Sequence, residues 1–123
     1  MRLMKFGIVA LSAVFAGACA STPIPVDKLS RAQGSVKTAH ELNAERDPTA
    51  ALHLRLAQEQ LDRARKAIED GDNDRASYLL MRAESDADVS VNLARQVAAK
   101  TEAQQTREMI QRVKAQMMEG SKS

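Results

Sequence analysis

An all-α fold follows from three features of the chain. Beyond residue 26 the only proline is Pro48 and the only glycines are Gly34, Gly71 and Gly120. No run of β-branched residues alternates with polar ones, so no strand is indicated. Apolar residues instead recur at three- and four-residue steps, which lines one face of a helix. The architecture this predicts is an antiparallel helical hairpin with a shorter first helix, giving a three-helix bundle with a long C-terminal helix. A long hairpin kinked at Pro48 is the alternative, because the first two helices together would match the third in length.

Each element has its own signals. The first helix is expected from Asp27 to about Glu45, on Leu29, Ala32, Val36, Ala39 and Leu42, with Gly34 as a weak point. Asp47-Pro48 ends it and starts the next, since Asp is a good N-cap and Pro suits the first helical position. The second helix carries the cleanest seam: Ala50, Leu54, Ala57, Leu61, Ala64 and Ile68, at steps of 4, 3, 4, 3 and 4. Small residues alternate with large ones there, which lets a partner helix approach closely. "EDGDND" closes it, with Gly71 as the left-handed C-terminal residue and Asp72 or Asn73 capping the third helix. The third helix shows Ala76, Leu80, Ala83, Ala87, Val91, Ala94 and Ala98, and runs to about Met118. Residues 120–123 should be frayed, so the helical domain is placed at 27–119.

The first 18 residues differ in kind. Arg2 and Lys5 precede an uncharged, mostly apolar run from Phe6 to Ala18. This run is short of the roughly 20 residues a membrane span needs. A basic start, a short apolar core and small residues at its end mark a cleaved signal peptide over residues 1–18. Cys19, the single cysteine of the chain, follows at once. Ala16-Gly17-Ala18-Cys19 resembles the lipobox of bacterial lipoproteins, with Ala16 where leucine is usual. The resemblance implies that Cys19 is lipidated and becomes the mature N-terminus. Ala20 in the next position, where an Asp would favour inner-membrane retention, implies the outer membrane and a periplasm-facing module. Ala16-Gly17-Ala18 also fits ordinary signal cleavage, which releases a soluble chain, and a disulfide from Cys19 would need a second chain. Residues 19–26 then form a Pro-containing tether of only about 20–25 Å.

Charge and composition narrow the function. The chain has 18 basic and 16 acidic residues, and loss of Arg2 and Lys5 with the signal balances them. No nucleic-acid partner follows from such a balance. Phe6 and Phe15 also leave with the signal, so Tyr78 is the one aromatic of the mature chain. A core without Phe or Trp is thin, and that favours a partner, self-association, or close packing through alanine.

"LRLAQEQLDRARKAIEDGDNDRASYLLMRAESDA", together with the lipobox-like Cys and the tether, resembles small Gram-negative lipoproteins of domain of unknown function 4398. That resemblance implies an envelope role and supplies no catalytic residues. Members are sometimes joined to a peptidoglycan-binding OmpA-like domain, which this sequence lacks. A covalent link to peptidoglycan like that of the murein lipoprotein would want a C-terminal lysine, whereas the sequence reads Gly120-Ser121-Lys122-Ser123 at that point. Only non-covalent peptidoglycan binding is left as an alternative to protein binding.

Chemistry-bearing constellations are sparse. Asp70, Asp72 and Asp74 alternate as in a calcium loop, but its glycine and bidentate-glutamate positions fall on Arg75 and Met81, so capping is the expected role. His40 and His53 have no second ligand at metal spacing and read as helix surface. No phosphate loop, nucleophile–base set, metal site or cofactor site is indicated, and no enzyme is expected. Two features point to interaction surfaces. Tyr78, Leu79, Leu80 and Met81 are apolar on consecutive positions, more than one seam needs; either the first helix covers the surplus or it is a docking patch. Past Ala98 an apolar stripe continues through Thr106, Ile110, Val113 and Met117. Charge is also segregated, with seven acids and two arginines from Glu69 to Asp88 and five bases and two acids from Arg95 to Lys114. The basic stretch is either a solvated face or one drawn to anionic headgroups or an acidic envelope polymer.

Overall fold

A computed structural model describes residues 22–121, and among them every regular element is helical. α1 spans Val26–Glu41, α2 spans Pro48–Glu69 and α3 spans Asn73–Gly120. The signal peptide, Cys19 and the first tether residues lie outside the described residues, as do Lys122 and Ser123.

The two corners differ in chemistry. α1 ends four residues before Glu45 because Asn43 adopts the left-handed conformation, φ 54°. Asn is among the few side-chain-bearing residues that do so readily. A short 3₁₀ turn, Ala44–Arg46, follows and buries Ala44 completely in the corner. Asp47 then caps α2, its carboxylate accepting from Thr49 N at 3.0 Å and Ala50 N at 2.8 Å, with Pro48 in the first turn. At the other corner Gly71 has φ 79°, its N–H donates to the Ile68 carbonyl, and the Asp72 N–H donates to that of Ala67. This pair of bonds is the Schellman closure, which occupies carbonyls the helix end leaves open. The Asp72 carboxylate caps α3 at Arg75 N, 3.1 Å.

The chain folds back at both corners into the three-helix bundle. Ala32 of α1 packs among Leu61 and Ala64 of α2 and Leu80 and Ala83 of α3, and Val36 and Ala39 pack with Leu54, Ala57 and Val91. α1 runs parallel to α3, as Arg31–Glu84 and Ser35–Asp88 share one offset in sequence. α2 runs antiparallel to both. The hairpin kinked at Pro48 is therefore not formed; it would carry residue 32 to the far half of α3.

Eleven of the sixteen buried apolar residues are alanine, so the core is built by close approach of backbones, not by bulk. That closeness shows at Ser90, which is fully buried and donates to the Ala50 carbonyl at 2.8 Å. The seams differ from the expected ones at their ends. On α2 the buried residue of the last turn is Ala67, and Ile68 is only half-buried, because an α-helix drifts from a strict 3.5-residue repeat. On α3, Ala94 is the last buried residue and Ala98 is exposed, because the corner at Asn43–Asp47 lies beside Ala94 and no helix covers the next turn. α3 also continues through Gly120, where fraying was expected, with Ser121 as its C-cap.

Candidate interaction surface

From Arg95 to Gly120 every residue of α3 is exposed. These 26 residues form a single stretch of helix about 39 Å long, whose first turns pass the α1–α2 corner and whose remainder projects beyond the bundle. Ile110 and Val113 are each 49% exposed, and Met117 is 70% exposed. Met109 and Met118 add to the same end. Such an apolar content on an unsupported helix is what a surface awaiting a partner presents.

Where α3 leaves the bundle there is a notch of about 400 Å³. Leu42, Val97, Ala98 and Thr101 supply its apolar wall, and Arg46, Asp47 and Glu102 its charged rim. Leu42 is exposed because α1 ends beside it, before the chain turns through Asn43. The corner is pinned by His40. Its Nδ1 lies against the Glu45 carboxylate and its Nε2 lies 2.7 Å from Gln58 Nε2. A ring protonated on Nδ1 serves both contacts, donating to the acid and accepting from the amide. The Glu45 carboxyl is held below its ordinary range, first by a backbone N–H and then by the His40 side chain.

The second expected patch divides. Leu80 is fully buried, and Leu79 is half-buried against the cluster that contains Ala32 and Leu61. Tyr78 and Met81 stay outside, 60% and 55% exposed. Each carries a cation: Arg82 lies 5.9 Å from the Tyr78 ring centre, and Lys28 Nζ is 3.6 Å from Met81 Sδ. Leu79 lies on the side of α3 that carries Asp86 and Ser90, which bond to α2, whereas Met81 lies on the side that carries Glu84 and Asp88, which bond to α1. Tyr78 and Met81 lie near the Gly71 corner, at the opposite end of the bundle from Ile110, Val113 and Met117, so the two sets do not form one surface.

The histidines and acids also have structural work. His53 Nδ1 lies 3.0 Å from Asp86 Oδ1, and Gln60 Nε2 donates to Asp86 Oδ2 at 2.7 Å, so one carboxylate of α3 holds two turns of α2. Nothing in the sequence marks this pairing, since the three residues are far apart along the chain. Gln60 is buried and its Oε1 has no partner among the described atoms. Among the described residues no group of three His, Cys, Asp or Glu side chains is placed to hold a metal ion. No helix among them is long and apolar enough to cross a membrane.

The tether and the projecting helix are at opposite ends. The Thr22 carbonyl accepts from Asn73 Nδ2 at 2.6 Å, which fixes the start of the described chain to the α2–α3 corner. Residue 22 follows Cys19 by three positions.

Comparison with known proteins adds a family and nothing finer. A family model described as Domain of unknown function (DUF4398) matches residues 27–106. The match covers the bundle and the first turns of the projecting helix, and Ile110, Val113 and Met117 lie beyond it. No curated protein and no solved structure matches the chain.

Proposed function

The chain belongs to the DUF4398 family, and on that premise we propose that it is a lipid-anchored, non-catalytic lipoprotein of the cell envelope, held in the outer membrane by Cys19 and facing the periplasm. It acts through helix-mediated protein binding or assembly at the distal part of α3. The single observation that carries this reading is the run of exposed helix from Arg95 to Gly120, directed away from the corner where Thr22 is bound.

The physical logic is that of a mast. Acyl chains on Cys19 contribute about 0.8 kcal/mol per buried CH₂, and more than one chain gives stable anchoring. Only Ala20 and Ser21 separate Cys19 from Thr22, so the Gly71 corner sits at the bilayer and α3 stands away from it. With 48 residues, α3 is about 72 Å long. Arg107, Arg112 and Lys114 are then some 50 Å or more from the headgroups, many times the Debye length of about 8 Å. Their charge acts on something other than the anchoring bilayer. That distance also favours the second reading, a structural link to peptidoglycan, whose acidic groups these bases would meet without a covalent bond.

Replacing Cys19 by Ser moves the protein from the membrane fraction to the soluble or unprocessed pool, and the wild type takes up a fatty-acid probe during growth. A wild type without label ends the anchoring part of the proposal. Incubating purified sacculi with the mature chain separates the two partner classes, since sedimentation of the chain with sacculi alone supports the peptidoglycan link.

A further inference from the structure

We infer that the partner of the distal helix is a second copy of this chain, paired with it in parallel and in register along α3. The inference rests on the reading of that helix as an interaction surface and names its occupant.

The seam is continuous. Ala99, Ala103, Thr106, Ile110, Val113 and Met117 follow at steps of 4, 3, 4, 3 and 4, the period of a two-stranded coiled coil. This stripe is not a continuation of the buried seam. In that phase the next residue after Ala94 is Ala98, so the distal stripe starts one residue later and is turned by about 100°. Traced back towards the bundle at its own period it meets Gln96, Asn92 and Val89, all exposed. It therefore runs along the exposed side of α3, with Asn92 at the edge of the groove that α3 forms with α1. A second α3 can lie on it with both bundles to the outside.

Charge selects the orientation. Lys100, Arg107 and Lys114 recur every seven residues along one flank of the stripe, and Glu102 stands on the other. An antiparallel pair sets the two basic flanks against each other, which is unfavourable over about four turns. A parallel pair sets each basic flank beside the opposite flank of its partner, and Glu102 of one copy then faces Arg107 of the other. In the same arrangement Arg95 faces Lys100 and Met109 faces Lys114, so Glu102–Arg107 is the one attractive charge pair, and the two basic side chains at Arg95 and Lys100 oppose it near the bundle. Copies anchored in one bilayer also point the same way, which the parallel arrangement requires.

Cysteine crosslinking in membranes from cells producing the full chain tests this. Lipidated Cys19 has no free thiol, so an introduced cysteine reports alone; a Cys19→Ser background, run alongside, gives the same readout should the anchor fail. Ala103→Cys and Met117→Cys, tested separately, each give a disulfide-linked species of twice the mass under mild oxidation. Glu108→Cys, on the far side of the helix, loses that species. If linkage forms only when the two variants are produced together, joining 103 to 117, the pairing is antiparallel and the inference is wrong. Linkage to a protein of another mass overturns the second copy as occupant while upholding the surface. No linkage at either position removes both.

Discussion

Ser90 shows how closely α2 and α3 approach. Its side chain is fully buried in a row otherwise made of alanine, leucine and valine, and its hydroxyl donates to the Ala50 carbonyl across the pair. Ser90→Ala removes one neutral hydrogen bond and leaves no donor stranded, so a loss of about 1 kcal/mol is expected. Ser90→Val is expected to cost more, because it also inserts methyl groups where a backbone lies, and overpacking alone costs about 1–3 kcal/mol. Thermal melts followed by circular dichroism rank the two; equal melting would mean that the backbones are not in close contact there. Other residues were open to reading from local chemistry alone. Asp47, Pro48, Gly71 and Asp72 have cap and turn roles that depend only on their neighbours in sequence. Asn43 carries no such local mark, because an isolated Asn followed by Ala-Glu-Arg continues an acceptable helical pattern. Only the burial of Ala44 in the corner makes the turn worthwhile. Asp86 escaped for a similar reason: its partners His53 and Gln60 become neighbours only after α2 and α3 have paired.

At the level of elements, the seams of α2 and α3 were legible because alternating alanine and leucine at 3.5-residue spacing admits few other arrangements. Their ends were not, since what covers the last turn depends on where the neighbouring helix stops. Leu61 lies mid-seam on α2 and is 5% exposed, packed with Ala32, Leu80 and Ala83. Asp62 is the next residue and points outward, its side chain 74% exposed and paired only with Arg65. Leu61→Asp places an unpaired carboxylate in an alanine-lined core. That costs several kcal/mol against a total stability of only about 5–15 kcal/mol, so the bundle is expected to unfold. Asp62→Ala removes a surface ion pair worth about 0–1 kcal/mol and leaves the melt nearly unchanged. Both variants melting at one temperature would place the seam elsewhere.

For the whole molecule, the choice between a bundle and a bent arm could not be read from helix lengths, because both arrangements pair every residue of the first two helices. The bundle forms because α1 offers Ala32, Val36 and Ala39 to both neighbours at once, which a bent arm would offer to α3 alone. The consequence is a division of labour along α3. The half up to Ala94 is held on one side by the bundle, and the half beyond it contributes no buried residue. Truncation after Lys100 therefore removes the stripe from Ala103 to Met117 without opening the core. The truncated mature chain is expected to keep the melting temperature of the full one at low concentration, apart from the fraying of a shorter helix end. At high concentration the two are expected to part. The full chain gains stability from association by mass action, and the truncated chain, lacking the stripe, does not. Sedimentation should show the same split, with a dimer for the full chain and a monomer for the truncated one. Equal monomers that crosslink to the same proteins in intact cells would mean that the projecting helix is not where this molecule meets its partner.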